Sequence, residues 1–458
     1  MNSVSQHIDD DTLWDIGDGL VVRRGSVADT EALADFQASG WKYGSRGDEP
    51  ESKGEQGKDD SISVWTRDLM SGSLSNVSPS DFTIVEDTRT GQIVSSLNLI
   101  SQIWSYDGIH FPVGRIELVA THPDYRRRGL VRSQINIVQE WSAERGELLL
   151  GITGIPWFYR QFGYEMALEQ NGSKFGESAD IQTETQGYKF RPAVEADLDN
   201  LTKIYKSAME RYLVSSVRDK YLWKYELVGR SKGSAHRHEI LIIERTDGDS
   251  AGYLMHQKAS DVDTKSRRVT GYELVDGVSW QDVTPAVLEY MQRDVGHDGD
   301  TRRIQFSLGT SHPSYDFLDD SQGKPIRPYA WYLRVPDMAS FLRHIGSVLE
   351  SRIEKSHMNG YTGDIKISFV GDGVRIQFEM GQLVGVCRWI PEQSDSRLAP
   401  KVRDAMYPGL TFLQVLFGFR SVDEIEYAFP DCILTSDQTR QILDVMFPKN
   451  ASWMWGLE

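Results

Sequence analysis

Apolar and polar positions alternate along the chain in a way that predicts strands and amphipathic helices in succession. Residues 115–120 are predicted to form a strand, and Val131, Ile135 and Val138 then lie on one face of a helix at i, i+4 and i+7. The apolar run at residues 147–152 predicts a buried strand after that helix. A strand, a helix and a further strand in this order indicate an α/β domain.

A short pattern occurs twice in the chain, at the constant offset of 168 residues that separates Arg23 from Arg191. In each copy an apolar strand ends at an arginine, and an Ala-Asp pair then caps a helix with apolar residues at helical spacing. The matching positions are Arg23, Asp29, Leu33 and Phe36 in the first copy and Arg191, Asp197, Leu201 and Ile204 in the second. Two such starts predict a duplicated α/β domain.

The last part of the chain, from about Val335, has a different pattern. Residues 338–353 predict a helix, and residues 364–370 and 374–378 predict the two strands of a hairpin around a Gly-Asp-Gly turn. Two further amphipathic helices are predicted at residues 410–417 and 438–447. Strands followed by separate helices indicate an α+β domain of roughly 120 residues.

Composition and charge then narrow the class of protein. The 458 residues are 39% hydrophobic and 26% charged, which is typical of folded domains and excludes a mainly disordered or fibrous chain. The net charge of -17 disfavours nucleic acid and anionic membranes, and it favours cationic small molecules or peptides. With only two cysteines, Cys387 and Cys432, no signal sequence and no long apolar stretch, the expected location is cytoplasmic.

Residues 47–60 contain no aliphatic or aromatic side chain and carry six acids against two lysines. Such a segment cannot bury enough area to offset its ordering entropy, so the sequence predicts a mobile loop. Two interpretations are open, a solvated insertion without a role and a lid over an active site.

The chemistry-bearing stretch is the turn between the strand at 115–120 and the following helix. Five arginines and two acids lie between Arg115 and Arg132, so this patch is positive within an acidic molecule. The first turn of a helix offers unpaired amides and the positive end of its dipole, and Gly129 allows close backbone approach. The pattern predicts a diphosphate site, although the glycine and lysine spacing of a nucleotide P-loop is absent.

At these residues the sequence resembles the GNAT superfamily of N-acetyltransferases. The family signature for acetyl-CoA is (Gln/Arg)-x-x-Gly-x-(Gly/Ala), and residues 126–131 match it except at Val131. The Arg-Arg-Arg-Gly-Leu run is similar to that of the Eis-like (enhanced intracellular survival) branch, in which a larger residue occurs at the last position. The aromatic stretch around Tyr159, from Phe158 to Tyr164, also resembles that branch.

The resemblance implies an architecture of α/β and α+β domains. It comprises an N-terminal GNAT catalytic domain at residues 18–180, a second GNAT-like domain without the cofactor motif at 181–334, and a sterol-carrier-like α+β domain at 335–458. Members of this kind assemble as homohexamers and acetylate amines, including aminoglycosides and lysine side chains. The expected partners are therefore an amine or peptide substrate and further copies of the chain.

The resemblance also implies the residues of the site. Tyr159 would be the general acid, and the C-terminal carboxylate on Glu458 the general base. Acetyl-CoA, as a cosubstrate and without a metal, would be held by Val119, Ala120, Thr121, Arg127, Arg128, Gly129, Leu130, Val131, Arg132, Gly154 and Ile155. The cofactor would separate two strands near Val119, with its pantetheine arm pairing like an extra strand.

Reference pKa values suit one of these roles better than the other. A tyrosine with a pKa of ~10 can protonate a thiolate whose conjugate acid has a pKa of ~8.5. A terminal carboxylate with a pKa of ~3.5 is a weak base for an ammonium group with a pKa of ~10.4. It could act only through a water relay, after burial has raised its pKa, or by orienting the amine. Tyr159 as a packed aromatic residue and Glu458 as a frayed end remain open alternatives.

Two other functions are also open. The chain could be a binding protein for a lipid or hydrophobic ligand with a vestigial GNAT half, or an acyltransferase that uses a longer acyl-CoA. A metal enzyme is not expected, because His236 and His238 lie two apart on a predicted strand with no further ligand nearby.

Overall fold

The computed structural model describes residues 14–40, 60–170, 172–177, 187–257, 266–295, 303–318, 324–391 and 403–454. The predicted loop at residues 47–60 lies outside the described residues apart from Asp60, which begins a helix. Glu458 also lies outside them.

The chain alternates strands and helices throughout. The strands are β1 (Trp14–Gly17), β2 (Leu20–Arg24), β3 (Phe82–Asp87), β4 (Gln92–Tyr106), β5 (Ile109–Thr121), β6 (Leu149–Ile152), β7 (Glu165–Gln170), β8 (Ser173–Glu177), β9 (Tyr188–Pro192), β10 (Val214–Ser216), β11 (Glu239–Arg245), β12 (Ser250–Gln257), β13 (Ser266–Leu274), β14 (Arg303–Phe306), β15 (Lys324–Ile326), β16 (Tyr329–Arg334), β17 (Gly363–Ser368), β18 (Gly373–Glu379), β19 (Gln382–Arg388), β20 (Ala405–Met406) and β21 (Ile433–Leu434). The α-helices are α1 (Thr30–Gly40), α2 (Asp60–Met70), α3 (Leu130–Glu144), α4 (Leu198–Met209), α5 (Lys220–Lys224), α6 (Trp280–Val295), α7 (Met338–His344), α8 (Gly346–Glu354), α9 (Phe412–Leu416), α10 (Val422–Ala428) and α11 (Asp437–Met446).

Two compact units can be distinguished. The first comprises Met1–Gln102, Pro112–Phe158 and Val228–Arg237, and the second comprises Ile103–Phe111, Tyr159–Leu227 and His238–Glu458. In the first unit the strands lie in the order β1-β2-β3-β4-β5-β6, and β6 runs parallel to β5. Helices α1 and α2 pack against each other, and α3 contacts β3.

The second unit holds a seven-stranded sheet in the order β15-β8-β14-β13-β12-β11-β9. Alternate residues of β11 face two different hydrophobic cores. Leu241 and Ile243 pack with α6, whereas Ile240 and Ile242 pack with α4. The same unit contains the antiparallel pair of β7 and β16 and a five-stranded sheet in the order β19-β18-β17-β20-β21. Mixed sheets with helices confirm the predicted combination of α/β and α+β folds.

The repeated sequence pattern has the same local structure in both copies. Arg23 makes a two-pronged contact with Asp29 (2.7 and 2.9 Å), and Arg191 makes the same contact with Asp197 (2.7 and 2.8 Å). In each copy the arginine Nε also binds a glutamate of the neighbouring strand, Glu86 in the first and Glu244 in the second. Each aspartate therefore joins a strand end to the start of the next helix.

Most predicted elements of the last section are confirmed. The hairpin forms from β17 and β18, and its turn carries Val370 and Gly371 at φ +63° and +91°. The helix predicted at residues 338–353 is present as two helices, α7 and α8, separated at Ile345.

One local prediction is wrong. His236 and His238 do not lie on a strand, because β11 begins at Glu239 and the preceding residues form turns. His238 instead contacts Glu226 at 3.4 Å within the second unit. Strand β13 ends at Leu274, and Gly277 adopts a left-handed conformation (φ +82°) before α6 begins.

We expect Asp29→Ala to lower the free energy of unfolding by about 1–2 kcal/mol at neutral pH, because it removes the partner of Arg23 and of the Ser26 backbone amide. Burial raises the pKa of Asp29, but hydrogen bonds from Arg23 and Ser26 outweigh it and hold the pKa below its usual range. The stabilisation should therefore be full above the unfolded-state pKa of ~3.9 and disappear as pH falls through the lowered value.

Urea unfolding of both proteins at neutral and acidic pH measures this difference. Asp199→Ala is the control, because Asp199 pairs with Lys220 at an exposed position and should change stability by less than about 0.5 kcal/mol. Equal effects of the two variants, or an effect of Asp29→Ala that grows in acid, would contradict the assignment.

Candidate functional site

The turn that precedes α3 has an unusual backbone. Arg127 and Gly129 are both left-handed, at φ +63° and +79°, whereas Arg126 is extended. A left-handed residue other than glycine costs roughly 1–2 kcal/mol, and such strain clusters at functional sites. Alternation of this kind turns successive amides toward one point, and the first-turn amides of α3 add to them. The turn could therefore hold an anion.

Side-chain contacts fix this turn to the sheet. The Tyr125 hydroxyl donates to the Asp87 carboxylate at the end of β3 (2.7 Å), and the Arg128 guanidinium lies 4.9 Å from the centre of the Tyr125 ring. Arg126 Nε donates to the Thr121 carbonyl at 3.4 Å. Hydrogen bonds from Arg89 and Tyr125 hold the pKa of Asp87 well below its usual range, so it remains a charged anchor.

The arginines of the turn keep their charge at the surface. Arg127, Arg128 and Arg132 are exposed, and no acidic residue lies in the first turn of α3. Arg127 makes no ion pair or hydrogen bond within the described part of the chain. A phosphate group could therefore bind here without displacing a protein carboxylate from Arg127.

Strand β5 separates from β6 just before this turn. The two strands pair at Val113, Gly114 and Arg115, and the ladder goes no further. Leu118 then adopts φ +52°, which gives β5 a bulge immediately before Val119, Ala120 and Thr121. Among the described residues, the backbone of these three therefore has no ladder partner on the β6 side, so an extended ligand could pair with it.

A glutamine from α1 holds the bulge. Gln37 is fully buried, and its Nε2 donates to the Leu118 carbonyl at 2.7 Å. This bond satisfies a carbonyl that the bulge removes from the strand ladder. The left-handed conformation of Leu118 is therefore fixed from α1.

A second buried network ties the same segment to α3. Ser95 donates to Gln134 Oε1 at 2.7 Å, and its oxygen lies 2.8 Å from the Thr121 hydroxyl. Gln134 Nε2 in turn donates to Thr83 Oγ1 at 2.9 Å. Because Gln134 belongs to α3, the network couples the helix that begins at the anion-binding turn with the free edge of β5.

The remaining predicted residues lie farther along the chain. Gly154, at φ +108°, and Ile155 follow β6 in the first unit and are exposed. Tyr159 is the first residue of its segment of the second unit; it is 2% exposed, and its ring lies edge-on to Tyr332 at 5.5 Å. The structure thus brings Val119–Thr121 together with the arginine turn.

The described end of the chain is docked in the second unit. The Trp453 amide donates to the Val214 carbonyl, and the Leu213 amide donates to the Ala451 carbonyl, both at 2.8 Å. The Trp453 ring belongs to the core beneath α4. The tail is therefore docked as far as Met454.

Sequence patterns missed Gln37, Ser95 and Gln134. Gln134 carried a usable signal, since it lies four residues from both Leu130 and Val138 on the apolar face of α3. Gln37 and Ser95 carried none, because their partners lie 81 and 39 residues away in the sequence.

Among the described residues, no group of three or more His, Cys, Asp or Glu side chains could hold a metal ion. No helix in the described part of the chain has the length and apolar character needed to cross a membrane.

Comparison with known proteins identifies the class of protein. Residues 55–167 match a family model described as "Acetyltransferase (GNAT) domain", and this segment includes the bulge, the arginine turn and α3. The protein is an acetyltransferase with a GNAT domain. Enzymes of this family use acetyl-CoA and act on amines. No curated protein matches the chain.

Solved structures extend the likeness in fold to almost the whole chain. A conserved protein of Enterococcus faecalis V583, described as a "Probable N-Acyltransferase", is 13% identical with a TM-score of 0.68, covering 96% of this chain and 99% of its own. A GCN5-related N-acetyltransferase from Anabaena variabilis is 12% identical with a TM-score of 0.64, covering 95% and 99%. Eis1 from Mycobacterium abscessus is 13% identical with a TM-score of 0.60, covering 96% and 100%.

We expect Gln134→Leu to destabilise the protein by about 1–3 kcal/mol, because Ser95 and Thr83 lose their buried partner. Urea unfolding measures the change. Asn136→Leu is the control on α3: Asn136 is exposed, so introducing the same side chain there should change stability by less than about 0.5 kcal/mol. Equal stability of the Gln134 variant and wild type would show that the network does not hold α3 to the sheet.

Proposed function

We propose that this protein is an acetyl-CoA-dependent N-acetyltransferase of the Eis-like branch, which transfers acetyl to a primary amine of a cationic small molecule or a lysine. The carrying observation is the combination of the left-handed arginine turn with the free strand edge at Val119–Thr121. Acetyl-CoA needs both features, since it has a diphosphate joined to an extended, amide-bearing arm. The net charge of -17 supports a cationic acceptor.

Each part of the cosubstrate would contact a different group of residues. The backbone of Val119, Ala120 and Thr121 would pair with the pantetheine arm, and the segment from Arg127 to Arg132 would bind the diphosphate. Charge-assisted hydrogen bonds of this kind contribute about 1.5–3 kcal/mol each. Gly154 and Ile155, which are exposed after β6, would supply further contacts.

The proposed reaction is direct transfer within a ternary complex. The amine nitrogen attacks the thioester carbonyl, so that a C–N bond forms and the C–S bond breaks. The thiolate takes a proton from the Tyr159 hydroxyl, and the amine loses one to a base. We assign that base to the Glu458 carboxylate, acting through water because its reference pKa is far below that of an amine.

Structural features of the second unit support a tandem GNAT arrangement in which only the first copy is active. The start of α6 has no arginine turn; instead, the Trp280 ring lies 5.0 Å from both Tyr272 and His312. The Tyr315 hydroxyl donates to the Phe306 carbonyl at 2.8 Å, so its proton is already used in a hydrogen bond to the backbone. The boundaries 18–180, 181–334 and 335–458, the sterol-carrier-like identity of the last domain, cytoplasmic location and homohexameric assembly complete the proposal.

We expect Gly129→Val to weaken coenzyme A binding at least about tenfold, because a β-branched residue is strained at φ +79° and its side chain would project at the anion-binding turn. Titration calorimetry with coenzyme A measures this loss. Gly146→Val is the control, since Gly146 at the other end of α3 is also left-handed (φ +70°) and also has open space around its Cβ position. Coenzyme A affinity that is unchanged in the Gly129 variant would refute the proposed function.

We expect Tyr159→Phe to lower kcat by about 10²–10³-fold with little change in acetyl-CoA affinity, because it removes the proposed proton donor to the thiolate. A thiol-release assay against a panel of amines measures kcat. Tyr315→Phe is the control; it removes a buried hydroxyl that bonds the backbone, so it should reduce stability and leave kcat close to wild type. A fully active Tyr159 variant would exclude this tyrosine as the acid.

A further inference from the structure

Tyr159, the proposed proton donor, is enclosed by neighbouring side chains. It lies in a short 3₁₀ helix, Phe158–Phe162, and only 2% of its surface is exposed. Its ring meets that of Tyr332 edge-on, with the ring centres 5.5 Å apart and an angle of 70° between the planes. Because a buried ring can adopt only the orientations that its neighbours allow, Tyr332 helps to decide where the Tyr159 hydroxyl points.

Tyr332 is itself fixed on strand β16, which pairs with β7. Trp331 and Tyr332 are both buried, and alternation along the strand sends them to opposite faces. The Trp331 ring lies edge-on to Trp104 at 5.7 Å, whereas the Tyr332 ring meets Tyr159. The register of the ladder shifts between Trp331 and Tyr332, and an irregularity of this kind re-aims the side chains beside it.

The hydroxyl end of Tyr332 is also restrained. It lies 3.5 Å from the hydroxyl of Tyr329, three residues earlier on the same strand. Burial raises the pKa of Tyr329 and the contact with Tyr332 raises it further, so no charge develops beside Tyr332 at physiological pH. Tyr332 is therefore restrained at its ring by packing and at its hydroxyl by Tyr329.

The segment that carries Tyr159 is anchored to the same pair of strands. Arg160 Nε donates to the Glu165 carboxylate at 3.0 Å, and Glu165 begins β7. The same carboxylate accepts the Met166 amide at 2.8 Å. An ion pair at the next residue thus holds the backbone beside Tyr159, and the side chain of Tyr159 is the part that Tyr332 orients.

We infer that Tyr332 is a positioning residue for the acetyl transfer, because its ring holds the Tyr159 side chain in the orientation from which the hydroxyl donates its proton. This inference rests on the proposed function, since Tyr159 is the acid of that same reaction. Tyr332 lies at the end of the segment 181–334 that we propose as the second GNAT-like domain. That segment, although it lacks the cofactor motif, would then contribute to the proton-donating part of the first domain.

The test is a double-mutant cycle on kcat, measured by thiol release from acetyl-CoA with spermidine, kanamycin and a lysine peptide. We expect Tyr332→Leu to lower kcat at least about tenfold and to leave coenzyme A affinity unchanged, because Tyr159 loses the ring that orients it. In a Tyr159→Phe background the same substitution should change kcat less than about twofold, since no proton donor remains to be oriented.

Two further variants separate orientation from stability. Tyr332→Phe keeps the ring and should retain kcat within about threefold of wild type. Tyr272→Leu is the matched control, because Tyr272 is also fully buried in the second unit, edge-on to Trp280 at 5.0 Å, with its hydroxyl 3.3 Å from that of Thr284. We expect Tyr272→Leu to lower the unfolding temperature about as much as Tyr332→Leu does and to leave kcat close to wild type.

Equal losses of kcat in the two backgrounds would show that Tyr332 supports the fold rather than Tyr159, and they would overturn the inference. Full activity of Tyr332→Leu, or a Tyr332→Phe variant as slow as Tyr332→Leu, would also overturn it. Tyr332→Met, whose flexible side chain adapts to irregular core space, provides the same cycle if the leucine variant does not fold. A fully active Tyr159→Phe variant would overturn the inference together with the proposed acid, and wild-type protein that does not bind coenzyme A would refute the proposed function as a whole.

Discussion

The site depends on the point at which β5 leaves β6. A strand that departs from its ladder exposes amides and carbonyls that must bind elsewhere, and buried groups of this kind are rarely left unpaired. Here the pairing ends at Arg115, and Leu118 takes a left-handed conformation that no turn or glycine requires. Gln37 compensates by binding the displaced carbonyl. The strained backbone persists because its surroundings hold it, and the edge that it frees is where the cosubstrate would bind.

Helix α3 has two roles that the buried network joins. Its first turn, after Arg127 and Gly129, could offer amides to an anion, while Gln134 one turn later reaches the sheet through Ser95 and Thr83. A diphosphate at the turn and an extended arm on β5 would therefore bind to elements held in fixed register. Preorganisation of this kind reduces the entropy lost when a long, flexible ligand binds.

The two copies of the repeated sequence pattern share their local contacts but differ in the helix starts that follow them. The arginine, aspartate and glutamate contacts recur at Arg23 and Arg191, so the strand-to-helix connection has the same geometry in both. At the start of α6, however, the Trp280 ring packs on Tyr272 where α3 has its arginine turn. Contacts that fix a connection and residues that bind a ligand are thus separable properties of the chain.

The sequence by itself determined the local elements and the position of the arginine turn. Periodicity specified β5, α3 and the hairpin of β17 and β18, because each depends on residues a few positions apart. It failed at His236 and His238, which were expected on a strand although β11 begins only at Glu239. Arg127 and Gly129 could be identified because their charge and conformational freedom belong to the residues themselves.

Only the tertiary structure decided the bulge, its support and the unpartnered polar groups of β4. Gln37 and Leu118 lie 81 positions apart, and no local pattern encodes a bond whose existence depends on how α1 packs on the sheet. The same holds for Ser96 and Asn98, which follow an ordinary strand pattern although their polar side-chain atoms lack a partner within the described chain. Hydrogen-bond satisfaction is a property of the folded environment, so it becomes visible only once that environment has been assembled.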